Sequence, residues 1–189
     1  MPELQQMIED CQAGDARAWE RLVREYQARV FAVAVYYLKD REEATDVTQE
    51  VFIKVYNRLE SFRNEQDSFL PWLLSIARNA CIDRFRKQKL EQRLGDELSQ
   101  QGDLSAPGPE QFLQEEQHRA LIYAALDEFS QRNRDVVLLK DIQGLKISEV
   151  AEILNMSEGT VKSRSNRARV KLAKILSRLL KPAQADFPG

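Results

Sequence analysis

The chain has 189 residues, 43% hydrophobic and 31% charged, with a net charge of −2; this suits one ordinary domain or two small ones and argues against wholesale disorder. A single histidine and two distant cysteines, Cys11 and Cys81, leave no disulfide framework, no metal site and no histidine-based acid–base centre, so both thiols are expected free and at least half-buried. The longest apolar run, Val30 to Leu38, is nine residues and too short for a bilayer, and the N-terminus does not resemble a signal peptide, so a cytoplasmic protein without membrane insertion is expected.

Strand-like alternation is hard to find, and the chain is predicted to be all-α. Asp15 is a plausible N-cap for a helix from Ala16 to Leu38, whose buried stripe is Trp19, Leu22, Val23, Tyr26, Val30, Phe31, Ala34 and Leu38. Asp40 and Glu43 then read as a capping box for a helix from Arg41 to about Leu59, with Ala44, Val47, Val51, Val55, Tyr56 and Leu59 inward. After a polar loop, Ser61 to Ser68, comes a third helix with Phe69, Trp72, Leu73, Ile76, Ala77, Ala80 and Phe85 on its inner face. These three helices can close one small bundle.

From about Leu90 to Glu116 the periodicity dissolves into an acidic, Gln-rich stretch containing Ser-Ala-Pro-Gly-Pro at 105–109, which fits a flexible linker. A second domain begins near Gln117. Leu121, Ile122, Ala125, Leu126 and Phe129 mark one amphipathic helix, and Val136, Val137, Leu138 and Ile142 mark another that Gly144 ends. A short helix from Ile147 to Leu154 and a turn at Asn155-Met156 follow. Ser157 then caps a long final helix that Pro182 closes.

The small net charge conceals an alternation. Residues 1–77 sum to −5, 78–89 to +4, 90–118 to −6 and 119–181 to +6. Any one block can be a mere solvated face, but blocks that coincide with helix and linker boundaries point to separate surfaces for separate partners.

A short apolar helix, a tight turn and a long basic helix form the layout of a helix-turn-helix. Ala151 is the small residue where two crossing helices approach, and Ile153, Val161 and Leu172 would seat the long helix on its supports. From Lys162 to Lys181 there are 8 basic residues and no acidic ones, a density suited to phosphate contacts. Near the start of that helix, Thr160, Ser163, Asn166 and Arg167 supply donors able to reach base edges. Backbone N–H groups at the helix N-terminus add a site for a phosphate.

The runs Gly159-Thr-Val-Lys-Ser-Arg164, Arg167-Ala-Arg169 and Glu149-Val-Ala-Glu-Ile-Leu154 resemble domain 4 of bacterial sigma factors. In the first half, Asp46-Val-Thr-Gln-Glu-Val-Phe52 resembles the core-polymerase-binding segment of sigma domain 2. Ser61-Phe62-Arg63, Trp72-Leu73, Ile76-Ala77-Arg78-Asn79 and Asp83-Arg84 resemble its promoter-melting part. Two ordered motif sets over residues 10–181, separated by a linker with no third domain, resemble the extracytoplasmic-function (ECF) class.

The resemblance implies a dissociable RNA polymerase subunit with no catalytic role and no cofactor or metal. Domain 2 would occupy residues 1–89, the linker 90–116, domain 4 residues 117–181 and a tail 182–189. Asp46, Gln49, Glu50, Phe52 and Ile53 would bind polymerase core; Phe52 is also a candidate core residue. Phe62, Arg63, Asn64, Arg78, Asn79, Asp83, Arg84, Arg86 and Lys87 would handle single-stranded DNA at the −10 element, with the loop Phe62 to Pro71 as a flipped-base pocket. Trp72 would stack on a base or sit in the core. Ser157, Gly159, Thr160, Lys162, Ser163, Arg164, Asn166, Arg167, Arg169 and Lys171 would bind duplex DNA at the −35 element. An anti-sigma factor is the expected further partner.

The chain departs from the family pattern at several points. Phe129-Ser130 replaces a common Leu-Pro, Lys146 replaces the serine that caps the first helix of the helix-turn-helix, Ser165 replaces an apolar residue, and Asn166 replaces a commoner histidine. The loop before Trp72 is about one residue longer than usual. Outside the resemblance, a dimeric operator-binding regulator explains residues 117–181 but not Asp46–Phe52, and predicts a dimer seam of which no heptad sign appears. A protein-binding adaptor is the other alternative. An enzyme is not expected, since no nucleophile–base, metal or phosphate-loop constellation is present.

Overall fold

The computed structural model describes residues 2–63, 69–95, 125–126 and 128–179. The chain divides into two compact units, Met1–Gly102 and Asp103–Gly189. The described residues form helices α1 (Pro2–Gln12), α2 (Ala16–Leu38), α3 (Arg41–Leu59) and α4 (Phe69–Gly95) in the first unit. The second contains α5 (Gln131–Val136), which runs on into a π-helical segment (Val137–Ile142), then α6 (Ile147–Leu154) and α7 (Glu158–Leu179). No described residue is in a strand. Most of the linker, most of the helix expected after Gln117, residues 64–68 of the polar loop and the tail lie outside the described residues. Residues 90–95, at the head of the linker by composition, are the last turns of α4.

Helix α1 was not expected from the sequence. Its stop is legible in retrospect: Gly14 takes φ +87, and its N–H bonds Cys11 O at 3.0 Å while Asp15 N–H bonds Asp10 O at 3.0 Å. These paired bonds close a Schellman turn, which glycine enters without the steric cost other residues meet. Asp15 then turns its carboxylate to the next helix, accepting from Arg17 N at 2.8 Å. Asp40 starts α3 in the same way, accepting from Glu43 N at 2.9 Å.

α2 packs on α1, α3 and α4, and α3 packs on α4. Ile8, Leu22, Val30, Val33, Val47, Val51, Phe69, Leu73 and Leu74 are fully buried between them. Ile8 and Cys11 make α1 part of this core, so the bundle has four helices where three were expected. Both cysteines are free and buried. Burial pushes the Cys81 thiol up to about 12, which keeps it neutral and a poor nucleophile at neutral pH.

Two residues expected on inner faces point outward. Phe85 is 51% and Tyr56 58% exposed. On α4, helical spacing from Ala77 and Cys81 brings Arg84 and Gln88 to the next inward positions, both half-buried, and leaves Phe85 to the side. On α3, Val51, Val55 and Leu59 already fill the core face, and Tyr56 falls one position round the helix.

In the second unit, Leu126, Phe129, Val136, Leu138, Leu139, Val150 and Val161 form the core. The π-helical segment is marked by a bond from Gln143 N–H to Leu138 O at 2.9 Å, five residues back. It widens the turn, and Ile142, expected inward, is 40% exposed. Gly144 ends the helix with φ +76, as expected. Lys146 occupies the N-cap of α6 and has no side-chain acceptor to offer. Glu149 supplies the other half of a capping box, its carboxylate accepting from Lys146 N at 2.6 Å. Lys146→Ser is therefore expected to stabilise this unit by about 1 kcal/mol, read as a higher urea midpoint at unchanged m-value; an unchanged midpoint would show the half-box to be sufficient.

Candidate polymerase-binding groove and DNA-binding helix

Asp46, Gln49, Glu50 and Ile53 follow one another three, one and three residues apart and so share one face of α3. Asp46 and Gln49 are exposed, Ile53 is 62% exposed, and Glu50 is half-buried, pairing with Lys54 at 2.6 Å. Beside this face runs an open groove of about 490 Å³ between α2 and α3, lined by Trp19, Val23, Gln27, Thr48, Gln49, Phe52, Ile53 and Tyr56. Phe52 is only 6% exposed, yet it forms part of the groove wall, so core and surface roles meet in one side chain. Trp19 meets Tyr56 edge-on with centroids 5.1 Å apart and Phe52 at 6.3 Å. Trp19, Val23 and Tyr56 were expected in the core stripes. Their position at the edges of those stripes was the available sign of a groove.

Phe62 is buried at 9% exposure, and its ring lies against Trp72 at 4.7 Å and Phe69 at 5.7 Å between centroids. Trp72 is half-buried, packed on this cluster. The backbone entering the loop is tied to α1. The Gln12 side-chain amide donates to Leu59 O at 2.8 Å and to Phe62 O at 3.1 Å, and Leu59 O also accepts from Phe62 N–H at 3.0 Å. Arg63 is exposed, and Asn64 lies outside the described residues. On α4, Asn79, Asp83 and Arg86 share one exposed face with Lys87 beside it, whereas Arg78 and Arg84 are half-buried on other sides.

α7 begins at Ser157, whose Oγ accepts from Thr160 N at 3.2 Å and meets Thr160 Oγ1 at 2.8 Å. The turn before it is closed by Asn155 in the left-handed region, φ +49, with Met156 N–H bonded to Ala151 O at 2.9 Å. Val161, Ser165, Ala168 and Ile175 form the buried face of α7, and Leu172 is half-buried among them.

The basic residues of α7 divide by direction. On one flank Arg169 is paired with Asp141 of the π-helical segment, Nε to Oδ1 at 3.0 Å; this partner raises the arginine pKa. On the other flank Arg164 donates to Asn133 Oδ1 at 2.7 Å. Lys171 donates to Glu128 O and sits 4.8 Å over the Phe129 ring, and Arg178 pairs with Glu128. Opposite the buried face run Ser163, Asn166, Val170 and Lys174, with Lys162 and Arg167 at their edges, all exposed. Arg167 donates to Ser163 O at 3.3 Å and to Ser163 Oγ at 3.0 Å. Of the ten residues expected at the −35 element, Arg164, Arg169 and Lys171 thus engage their own unit. Gly159, Lys162, Ser163, Asn166 and Arg167 are exposed.

One helical unit carries an apolar groove and the other a basic helix-turn-helix, the layout of a two-part DNA-binding factor. Residues 22–91 match the family model Sigma-70 region 2, and residues 119–172 match Sigma-70, region 4. The chain is 31% identical over 187 residues to the RNA polymerase sigma-H factor of Pseudomonas aeruginosa, covering 95% of this chain and 96% of that one. It is 35% identical over 167 residues to the ECF RNA polymerase sigma factor SigX of Bacillus subtilis, covering 85% and 84%. The solved structure of sigma factor RpoE in complex with the anti-sigma factor NepR from Bartonella quintana shares the fold, with a TM-score of 0.69 at 23% identity over 86% of this chain and 98% of that one. The chain belongs to the sigma-70 family, as an ECF RNA polymerase sigma factor, and it acts in promoter-specific initiation of transcription. Among the described residues no helix is long and apolar enough to cross a membrane.

Proposed function

We propose that residues 1–89 dock on RNA polymerase core and open the −10 element, while residues 117–181 anchor the −35 element, with 90–116 as tether and 182–189 as tail. The observation that carries this is the division of α7: its flanks are bound to its own unit, while Ser163, Asn166, Lys162 and Arg167 are left outward on a helix whose N-terminus also faces solvent. A helix so arranged can enter a major groove and read base edges without disturbing its own support. The exposed α3 face, Asp46, Gln49, Glu50 and Ile53, together with Phe52 and the groove, is the docking surface for polymerase. Asn79 and the cations Arg63, Arg86 and Lys87 hold the opened strand at −10, where Asp83 shares the face. Bond-making belongs to the polymerase, and the factor works in the cytoplasm.

RpoE from Bartonella quintana was solved with an anti-sigma factor. We extend to this chain a partner of that kind, covering the α3 face and so excluding polymerase.

The test is reconstitution. Core polymerase supplied with this protein should start transcription from a promoter that core alone ignores, and the two should co-elute. A protein that fails to bind core polymerase would refute the docking assignment. In the same assay Arg167→Ala is expected to lower −35 affinity by about 1–3 kcal/mol and to reduce the salt slope by about one ion; an unchanged slope would remove Arg167 from the interface.

A further inference from the structure

Ser165 stands on the buried face of α7 where an apolar residue was expected, and it is 2% exposed. Its Oγ lies 3.5 Å from Asp141 Oδ2, the outer limit of a hydrogen bond. The other oxygen of that carboxylate, Oδ1, accepts from Arg169 Nε at 3.0 Å and from one Nη of the same guanidinium. A buried hydroxyl therefore meets a carboxylate from behind, and the carboxylate grips an arginine in front.

The grip leaves part of the arginine available. A guanidinium has five N–H donors, and Asp141 takes those of Nε and one Nη2. The Arg169 side chain remains 57% exposed, while that of Asp141 is 19% exposed. The spare donors stand on the flank of α7, beside the outward stripe of Ser163, Asn166 and Val170. Fixing an arginine in place costs rotamer entropy. Here that ordering is done inside the free protein, so a phosphate meeting the guanidinium does not bear it again. The Arg178–Glu128 pair differs, because the Glu128 side chain is itself 41% exposed, about twice as much as that of Asp141.

We propose that Asp141, backed by Ser165, is a positioning residue for DNA binding that holds Arg169 so its spare guanidinium edge meets a phosphate of the bound duplex. The proposal rests on α7 being the −35 helix.

The experiment uses the full chain loaded on core polymerase, with a duplex enriched by the wild-type holoenzyme from a randomised pool as probe. Arg169→Ala should weaken binding roughly tenfold and reduce the salt slope by about one ion. Asp141→Asn, which keeps the shape and removes the charge, should weaken binding roughly three- to tenfold, and Ser165→Ala by about twofold. In the Arg169→Ala background neither substitution should cost any further DNA affinity, whatever each does to the melting temperature. An equal loss from Asp141→Asn with and without Arg169 would overturn the proposal in favour of a purely structural role. Tighter binding by Asp141→Asn would overturn it too, showing that the carboxylate withholds Arg169 from DNA. If the wild type binds its duplex and Arg169→Ala binds equally well, the proposal falls while the assignment of α7 stands. If the wild-type holoenzyme enriches no duplex, both fall.

Discussion

Replacing Ile53 by glutamate is expected to weaken binding to core RNA polymerase by about 2–4 kcal/mol, the scale of a hot-spot residue at a protein interface. Ile53 is 62% exposed in the free chain and adjoins Tyr56, 58% exposed, on the same groove, and a contiguous apolar patch of this kind marks an interaction site. Ile53 lines the groove between α2 and α3 together with Trp19, Phe52 and Tyr56, so a charge there would be desolvated without an opposite partner when polymerase docks. Because the side chain touches little of its own unit, the melting temperature should hardly move, as for other exposed substitutions. Fluorescence titration of labelled factor with core measures the first quantity and calorimetry the second. Wild-type affinity in the glutamate variant would place the docking surface elsewhere.

The second large effect concerns Phe69. It is fully buried and meets Tyr26 at 5.1 Å, Phe62 at 5.7 Å and Trp72 at 5.8 Å between ring centroids. Phe69→Ala should cost about 3–5 kcal/mol, a large share of the 5–15 kcal/mol typical of a whole domain. The loss should appear as a lower urea midpoint followed by tryptophan fluorescence. Where folded protein persists, the Phe62–Trp72 pair loses its backing. Transcription from a closed promoter should then fall more than transcription from one whose −10 segment is already unpaired. Equal losses on the two templates would separate this aromatic cluster from strand opening.

Local rules carried much of the fold. The stripes of α2 and α3 and the caps at Asp15, Asp40 and Ser157 follow from spacing and from short polar side chains at helix starts, and the structure places those helices at the expected residues. α1 was missed because its apolar contribution, Met7, Ile8 and Cys11, is too brief to show a helical period. The π-helical segment has no local signature. The exposure of Ile142 and the approach of Asp141 to α7 follow from that segment, and so could not be read from the sequence.

The site was legible to a different degree in each unit. The outward face of α3 follows from its buried stripe, since Asp46, Gln49 and Ile53 lie off it. The groove beside it needs α2 as well, and no single-helix pattern contains a second helix. For α7, composition gave a basic helix but not the direction of each cation. Arg164, Arg169 and Lys171 counted equally with Lys162 and Arg167 until Asn133, Asp141 and Glu128, between 28 and 43 residues away, were seen to claim them. Ser165 stood out in the sequence, but its burial and its approach to Asp141 became visible only in three dimensions.

The two-sided clamp on α7 also bears on how such a factor can diverge. Because both flanks and the buried face are held by fixed partners, the helix keeps its attitude whichever helix-forming residue stands at 163, 166, 170 and 174. Those four positions contribute little to stability, and exchanging them for residues other than glycine and proline should cost the unit no more than about 0.5 kcal/mol each. A duplicated copy of this chain could therefore acquire a new target sequence by drift along that one stripe, keeping its scaffold and its place on the polymerase unchanged.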